Sequence, residues 1–439
     1  MTRKDPPLLI FCFIGIFTAS FAAVAQTGAP MQIIASKCGG CHKPGGDAPF
    51  SLTTLADVKK RISTIRQVIE SRYMPPWKAD DSYCNYSNGK SLSGKERGAI
   101  LDWIAAGATT DKAGSAKTTN AGGGVIASPA IDSASNDITI KSGFHYTVKG
   151  DNVERFVIFK LPFENNREIN IGGMEFISGN KRLVHHVNYG LFSIDQPATD
   201  IAAGSRFIET DDPNSNQAEY DHLTTHPVYY TGWIPGSSGE HYPQYFGWVL
   251  PKRGVVIFTV HFSASPINET FDFGIRLYAS SQPIQRKVKI ISFGSGGVGE
   301  KDITPSFVIE PNKISKFELK MFTRSPQSVM YIWPHMHLLG KSYKAYAVSP
   351  GKDTIPLVSI PQWDYRWQEL YRMKELTYIP AGSTLVIEGI YDNTSNNPMN
   401  PNSPPQRIYP TKNMESNKEM FTLLMIYVPY EPGDEKIKL

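Results

Sequence analysis

The chain has 439 residues, of which 41% are hydrophobic and 20% are charged, and its formal net charge is only +4. A chain of this length exceeds a single ordinary hydrophobic core, so we expect two or three domains. The weak net charge, with no Lys/Arg-rich run in the sequence, argues against nucleic acid as a partner.

The first residues, MTRKDPPLLIFCFIGIFTASFAAVAQTG, have the pattern of a secretory signal peptide. Arg3 and Lys4 precede an apolar stretch, and the small residues AVA before Gln26 supply a cleavage site. We therefore expect residues 1–25 to be removed and the mature protein to be periplasmic or secreted. The alternative is an uncleaved anchor, because the apolar stretch nearly spans a bilayer. Only in that case is a membrane expected as a partner.

The stretch ASKCGGCHKPGG holds Cys38, Cys41 and His42 in the C-x-x-C-H pattern of covalent c-type haem attachment. In this pattern two thioether bonds hold the porphyrin, and the histidine becomes an axial ligand of the iron. The alternative is a zinc or redox C-x-x-C pair, which an exported chain with His directly after the second Cys disfavours. We therefore predict a cytochrome c-like haem domain over residues 27–108.

Met74 is the predicted sixth ligand of the haem iron. There is no second histidine between Gln26 and Phe144, and Met31 lies too near the attachment turn to reach the opposite face. Met74 follows an amphipathic helix, LADVKKRISTIRQVIES, which the double proline of SRYMPPWKAD ends. Ligation by His and Met raises the haem potential and suits electron transfer.

A further helix, SGKERGAILDWIAAGA, is predicted to begin at the capping residue Ser93. With CxxCH, MPPW and this closing helix in order, residues 30–108 resemble a small class I cytochrome c, which implies a small all-α domain. Cys84 has no predicted partner, and both a buried inert thiol and an intermolecular disulfide remain open.

Residues 109–136 are rich in Gly, Ala, Ser, Thr and Asn and have almost nothing to bury, which predicts a flexible linker. Such a linker would let the haem domain move against its neighbour. After it, short β-type runs such as ERFVIFKLPF and STLVIEGIYDN recur between turn residues. This spacing predicts two antiparallel all-β sandwiches, over residues 137–282 and 283–432.

Five of the ten histidines lie on strand-like segments with apolar neighbours: His185 and His186 in LVHHVNYG, His261 in FTVHFSAS, and His335 and His337 in WPHMHLLG. A lone core histidine is usually just hydrogen-bonded, but two closely spaced pairs favour metal sites. Buried imidazoles without partners cost free energy, and a metal ion relieves that cost by accepting the lone pair. Because adjacent residues on a strand face opposite ways, the first pair can share one ion only at a bulge or twist.

Four stretches in this order, RLVHHVNYGLF, GWVLPKRGVVIFTVHFSAS, WPHMHLLGKSYKAYAV and NKEMFTLLMIYVPY, resemble the copper type II, ascorbate-dependent monooxygenases. That family includes peptidylglycine α-hydroxylating monooxygenase and dopamine β-monooxygenase, and the resemblance spans roughly residues 140–430. It implies two stacked jelly-roll sandwiches with two copper ions facing each other across a solvent cleft. It also implies that His185, His186 and His261 hold the electron-transfer copper, at the H site.

The same resemblance implies that His335 and His337 are histidine ligands of the catalytic M site. The family's methionine ligand stands just after a glutamate, which corresponds to Met420 here, with Met425 as a less suitable substitute. Three imidazoles accept copper in both oxidation states, whereas two imidazoles and a thioether favour Cu(I).

The sequence departs from the family at several positions. Phe421 replaces the cysteine that normally follows the methionine, and the disulfides of the animal enzymes are absent. Trp333 stands where the peptide-amidating enzyme has a carboxylate-binding arginine, and Leu424 stands where it has a tyrosine, so a glycine-extended peptide is not the expected substrate. The fused haem domain implies that electrons arrive from the cytochrome rather than only from ascorbate or another external reductant.

The sequence thus predicts an exported copper- and haem-dependent monooxygenase that hydroxylates a small organic substrate with O2 and receives electrons from a donor to the haem. Its catalytic residues would be His335, His337 and Met420. The alternative is a non-catalytic haem/copper electron-transfer or copper-binding protein, which would carry the same motifs. A structural or glycan-binding sandwich with chance histidines is the third possibility.

Overall fold

A computed structural model of the chain describes residues 29–108, 137–237, 239–410 and 418–439. The described residues are mostly β-sheet, with 21 strands and four α-helices, which confirms the expected β-rich architecture. The predicted signal segment and linker lie outside the described residues. In the ranges that are described, no helix is both long and apolar enough to cross a membrane.

The four α-helices all lie before residue 106: α1 Ala29–Lys37, α2 Leu55–Lys59, α3 Ile62–Glu70 and α4 Gly94–Ala105. Helix α4 begins at Ser93, whose side chain accepts the N–H of Glu96 in a capping box, as predicted. The prediction of a single amphipathic helix before Met74 is wrong in one respect. The helix is interrupted between α2 and α3. Arg61 leaves the helical conformation there, and its guanidinium lies 4.3 Å from the centre of the Phe50 ring.

Thirteen strands form the first sandwich: β1 Ile138–Lys141, β2 Tyr146–Val148, β3 Arg155–Glu164, β4 Ile169–Ser178, β5 Val184–Ser193, β6 Phe207–Glu209, β7 Pro227–Trp233, β8 Glu240–His241, β9 Phe246–Leu250, β10 Arg253–Phe262, β11 Glu269–Phe271, β12 Phe273–Ala279 and β13 Arg286–Lys287. One sheet has the order β1-β12-β4-β9-β13, with β8 beside β4, and the other has the order β6-β3-β10-β5-β7. Strands β2 and β11 form a separate small ribbon.

Eight strands form the second sandwich: β14 Lys289–Gly294, β15 Lys313–Phe322, β16 Gln327–His335, β17 Gly340–Val348, β18 Thr354–Ile360, β19 Tyr371–Ile379, β20 Thr384–Asn393 and β21 Thr422–Pro429. They make two four-stranded sheets, β14-β21-β16-β19 and β15-β20-β17-β18. Among the described strands, no sheet combines a strand that precedes Val288 in the sequence with a strand that follows it.

Strand β16 is buried on both of its faces. Val329 and Ile332 belong to the core of the second sandwich, whereas Met330 and Trp333 pack into the core of the first. The fit between the sandwiches is tight, since a side chain at Gly232 would bring its Cβ within 2.1 Å of the Trp333 ring. This double burial explains the nearly continuous apolar run before His335.

Residues 77–90 of the N-terminal unit are built into the second sandwich. The rings of Trp77 and Tyr86 pack with Tyr371, at centroid distances of 5.0 Å each. The Tyr86 hydroxyl donates to the carbonyl of Leu357 at 2.7 Å, and the backbone N–H of Asp80 donates to the carbonyl of Ser359 at 2.8 Å. These contacts oppose the predicted movement of this unit against its neighbour.

We expect Tyr86→Ala to lower the free energy of unfolding of the second sandwich by about 3 kcal/mol or more, because it empties a buried aromatic site. Tyr86→Phe, which removes only the hydrogen bond to Leu357, should cost about 1 kcal/mol. Urea titration followed by circular dichroism of the β-sheet measures both. Tyr409→Ala, at a side chain that is 58% exposed, is the control. An unchanged β-sheet transition in Tyr86→Ala would show that residues 77–90 are not integral to this sandwich.

Candidate metal and haem sites

His185, His186 and His261, the first histidine group, lie on the neighbouring strands β5 and β10. His261 is paired with His186, but the next residue, Phe262, is paired with Val184, so His185 is an extra residue in a bulge. The bulge turns His185 toward the side of its neighbours, which a regular strand would not allow. One nitrogen atom from each of the three imidazoles lies within 4.8 Å of the others.

Hydrogen bonds orient the rings of the first histidine group. The Nδ1 atoms of His185 and His186 are 3.1 Å apart. His261 Nε2 lies 3.1 Å from the carboxylate of Glu154, which can only accept, so Nε2 carries the proton and Nδ1 keeps its lone pair. The Tyr365 hydroxyl, from the second sandwich, donates to that Nδ1 at 3.4 Å.

Burial keeps the imidazoles of His185 and His186 neutral. It lowers the pKa of His185 to about 4, with the nearby His261 as a secondary cause, and it lowers the pKa of His186 well below its usual range. His186 Nε2 is buried without a hydrogen-bond partner. A neutral imidazole has a lone pair to offer to a metal ion, so the group suits a three-nitrogen site.

His335 and His337 form the second histidine group, at the end of strand β16. Their Nε2 atoms face each other at 3.1 Å. His337 Nδ1 donates to the backbone carbonyl of Lys418 at 2.8 Å, and His335 Nδ1 donates to Gln368 Oε1. The Gln368 amide is oriented by its own nitrogen, which donates to the carbonyl of Tyr365 at 3.0 Å.

These outer hydrogen bonds fix the tautomer of both rings. Because each Nδ1 carries the proton, each Nε2 of His335 and His337 presents a lone pair to the other. Burial lowers the pKa of His335 to about 4, so a shared proton is disfavoured at neutral pH. Two buried lone pairs at this separation repel each other, and a cation between them would remove the repulsion.

Met420 lies beside the second histidine group, just before strand β21. His335 is paired with Thr422 across β16 and β21, two residues along the chain from Met420. The backbone is held on both sides, because the Tyr391 hydroxyl donates to the Met420 carbonyl at 2.6 Å and the N–H of Phe421 donates to a serine hydroxyl at 3.0 Å. Met425, by contrast, lies in the hydrophobic core of the second sandwich.

A cavity of about 390 Å³ opens beside Met420, between the two sandwiches. Its lining includes both His335 and Met420 and contains no Asp, Glu, Lys or Arg among the described residues. Trp333 and Leu424, the two departures from the peptide-amidating enzyme, line it as well. The lining residues are Asn188, Tyr230, Thr259, Ser292, Ser295, Gly296, Trp333, His335, Met420, Thr422 and Leu424.

The carboxylate of Glu419 fixes the turn that follows the second histidine group. It accepts the backbone N–H of His337 at 2.8 Å and that of Leu339 at 2.6 Å. Burial raises the pKa of Glu419 to about 8, although both backbone donors act in the opposite direction. Glu419 therefore positions His337, but its carboxylate is not placed as a metal ligand.

The two histidine groups touch through Tyr365. Its ring stacks on His185 at 5.2 Å and lies 5.7 Å from the ring of His337. The rings of His186 and His335 are themselves only 6.3 Å apart, and they are 2% and 8% exposed. The solvent cleft implied by the family resemblance is therefore closed between these five histidines in the described part of the chain.

The predicted haem ligands also come together. Cys38, Cys41, His42 and Met74 line one largely apolar cavity of about 330 Å³, whose wall also includes Trp367 of the second sandwich. His42 Nδ1 lies 3.0 Å from the carbonyl of Phe50 and therefore donates to it, which leaves Nε2 free to bind iron. Burial lowers the pKa of His42, so its imidazole is neutral. The residues present thus fit a haem.

The first sandwich closes another side of the haem cavity. Pro235 is part of the wall, and a Cβ added at Gly236 would lie 2.5 Å from Cys41 Sγ. Cys38, Cys41 and Cys84 are free thiols. Cys84 is partly buried and lies against the carbonyl of Pro356, in keeping with the inert thiol among its two predicted roles.

The residues that orient the histidines could not be recognised in the sequence, above all Tyr365, Gln368 and Glu154. Tyr365 and Gln368 lie between β18 and β19, in the segment PQWDYRWQEL. Its density of aromatic and polar residues between two strands was the available signal, because binding residues are often on loops held by a scaffold.

No protein-family model matches the chain, and no curated protein matches it. Among solved structures, it is similar to an allantoicase at a TM-score of 0.15 with 13% identity, covering 56% of this chain and 80% of that one. An infectious bursal disease virus (Gt strain) structure gives a TM-score of 0.16 with 9% identity, over 69% and 74% of the two chains. The 11S allergen from Cocos nucifera gives 0.13 with 10% identity, over 65% and 87%. Scores this low carry no argument about fold or function.

We expect Glu419→Gln to weaken metal binding at the second histidine group on the order of 10–100-fold, because the amide can accept only one of the two backbone N–H groups and His337 loses its support. Titration of Cu(I) against a chromophoric chelator measures the affinity. Glu388→Gln, on the surface beside Lys316, is the matched control. Equal affinities in the wild type and Glu419→Gln would contradict the positioning role.

Proposed function

We propose that the protein is an exported copper-dependent monooxygenase that hydroxylates a C–H bond of a small organic substrate with O2. In this proposal a c-type haem, held in the N-terminal cavity, supplies electrons. The proposal includes the finer architecture expected from the sequence: a small cytochrome c-like unit followed by two jelly-roll sandwiches.

The observation that carries the proposal is the pair of facing Nε2 lone pairs of His335 and His337 next to Met420. Two imidazoles and a thioether favour Cu(I), the copper state that reacts with O2. The adjoining cavity, which His335 and Met420 both line, gives a substrate direct access to this group.

The first histidine group supports a second copper ion with a different task. His185, His186 and His261 offer three nitrogen donors, and such a set accepts copper in both oxidation states. Glu154 would hold the His261 ring in place by accepting its Nε2–H, as carboxylates commonly do behind metal-binding histidines. Copper at the two groups would supply the one-electron redox chemistry that O2 activation requires.

The cavity favours an uncharged substrate. Its lining has hydroxyl groups, an amide and apolar surface, and the Trp333 side chain is part of one wall. A substrate with a few hydrogen-bonding groups on an otherwise apolar body would match this lining. A carboxylate substrate would find no cationic side chain among the described lining residues.

The N-terminal cavity supports the haem part of the proposal. Cys38 and Cys41 would form the thioether bonds, and His42 and Met74 would be the axial ligands, an arrangement typical of electron-transfer haems. The electron donor to the haem would be a separate redox partner, with ascorbate or another external reductant as a further source. Export through residues 1–25 remains part of the proposal.

A non-catalytic haem and copper electron carrier is the second candidate. The closed contact between the two histidine groups through Tyr365 favours it, because a relay needs short distances and no substrate. The cavity beside Met420 favours the monooxygenase instead. Incorporation of ¹⁸O from ¹⁸O2 into an added organic substrate separates the two functions.

We expect Met420→Leu to remove copper–sulfur scattering from the X-ray absorption spectrum of the Cu(I) protein and to abolish ¹⁸O incorporation. The substitution keeps the side-chain volume but removes the thioether. Met425→Leu, on strand β21 in the core of the second sandwich, should change neither, and the haem spectrum should stay intact in both variants. Persistence of the sulfur signal in Met420→Leu would remove Met420 from the site.

Met74→Leu should lower the reduction potential of the haem and leave an open position on the iron, because the axial thioether is lost. Carbon monoxide should then bind to the ferrous haem, which its absorption spectrum reveals. Met31→Leu, at the other methionine of this unit, should leave both the potential and the spectrum unchanged. A Met74→Leu protein that does not bind carbon monoxide would exclude Met74 as the sixth ligand.

A further inference from the structure

One short segment, residues 364–369, contacts both the haem cavity and the two histidine groups. It lies between strands β18 and β19, and half of its residues are buried although it has no regular secondary structure. Tyr365, Gln368 and Glu369 are 5%, 3% and 2% exposed. A buried loop requires a partner for its polar groups, and in this segment those partners are the N-terminal unit and the histidines.

On the haem side, the segment presents Trp367. Its indole lines the cavity that contains His42 and Met74, and it lies edge-on to Tyr73 at 5.7 Å. Trp367 Nε1 is buried and has no hydrogen-bond partner among the described residues. The large aromatic ring is thus part of the wall of the haem cavity.

On the histidine side, the next residue is Gln368, whose carbonyl oxygen accepts from His335 Nδ1. Trp367 and Gln368 are consecutive, so only one peptide unit separates the wall of the haem cavity from a group bonded to His335. Tyr365 connects to the first histidine group through a contact with the Nδ1 of His261 at 3.4 Å. The path from Trp367 to the second histidine group therefore contains fewer covalent bonds than the path from Trp367 to the first histidine group.

Ion pairs from the N-terminal unit fix the segment at both ends. Lys90 Nζ contacts the carboxylate of Glu369 at 2.6 Å and also donates to the carbonyl of Gly236 at 2.8 Å. At the other end, Lys78 lies 3.5 Å from Asp364. The Glu369 side chain is almost completely buried, which makes this pair costly to break. The haem cavity and His335 are therefore held in a fixed relation.

We propose that the segment 364–369 is the route by which one electron passes from the haem to copper at the second histidine group, through Trp367 and Gln368. In this step the iron is oxidised from Fe(II) to Fe(III), copper at His335 and His337 is reduced from Cu(II) to Cu(I), and no proton moves. The inference rests on the proposed function. It changes the expected order, in which the electron reaches the first histidine group before the second.

Flash reduction of the haem in the full-length, haem- and copper-loaded protein tests the route. A deazaflavin photoreductant supplies one electron, and the haem absorption band then reports reoxidation by Cu(II). We expect a phase independent of protein concentration that slows on the order of tenfold in Trp367→Leu, because coupling carried by the packed ring is lost. Trp367→Phe should restore part of the rate, and Trp103→Leu, on helix α4, should leave it unchanged.

Haem potential and copper-to-iron ratio, measured on the same proteins, separate a lost route from a damaged site. In Trp367→Leu the copper-to-iron ratio should match the wild type, and the change in haem potential should be too small to account for a tenfold slower rate. A wild-type rate in Trp367→Leu would overturn the inference and leave the proposed function intact. If the purified wild-type protein contained no haem or no copper, both the inferred electron route and the proposed function would be overturned.

Two histidine variants test which group receives the electron. In His261→Ala, copper remains at the second group, and the fast reoxidation of the haem should persist. In His335→Ala, copper remains at the first group, and the fast phase should disappear. Electron paramagnetic resonance of the oxidised proteins identifies which copper each variant retains. The reverse result, with the fast phase lost only in His261→Ala, would overturn entry through His335.

Discussion

The repulsion between the facing lone pairs of two buried imidazoles is the constraint on which the site depends. The chain orients both outer Nδ1 atoms toward carbonyl oxygens, so the inner nitrogens of His335 and His337 must face each other as lone pairs at 3.1 Å. In the proposed function a cation between these nitrogens would remove the repulsion, and Met420 lines the same cavity as His335.

The same loop that supports His335 also integrates the three parts of the molecule. Gln368 orients the ring, Tyr365 separates the two histidine groups, and Glu369 pairs with Lys90 of the N-terminal unit. Residues 77–90 add a further contact between these parts, because their aromatic side chains pack in the core of the second sandwich. The N-terminal unit is consequently a structural component of the site, although its sequence suggests a separable domain.

Much of the site could be predicted because its chemistry is local in sequence. The haem motif spans a few residues, the two histidine pairs are at one- and two-residue spacing, and the need for a bulge at His185 follows from strand geometry alone. Strand β4 gives a weaker sequence signal, because Gly172 and Gly173 lower its β-propensity. The second glycine is required by packing, since a Cβ there would lie 2.5 Å from the carbonyl oxygen of Glu240. Tyr365 and Gln368 could not be assigned, because the contacts that define their roles are with residues distant in sequence.

The close approach of Gly236 to Cys41 has a consequence for maturation. Formation of a thioether requires the porphyrin and the attachment machinery to reach both thiols, yet in the folded chain Gly236 lies against Cys41, and Pro235 and Trp367 line the cavity that contains both. In the proposed function, haem insertion would therefore precede closure of the sandwiches over the N-terminal unit, whereas copper could be loaded afterwards. Biogenesis would then proceed in a fixed sequence, with the covalently modified segment serving as a template onto which the rest of the polypeptide docks.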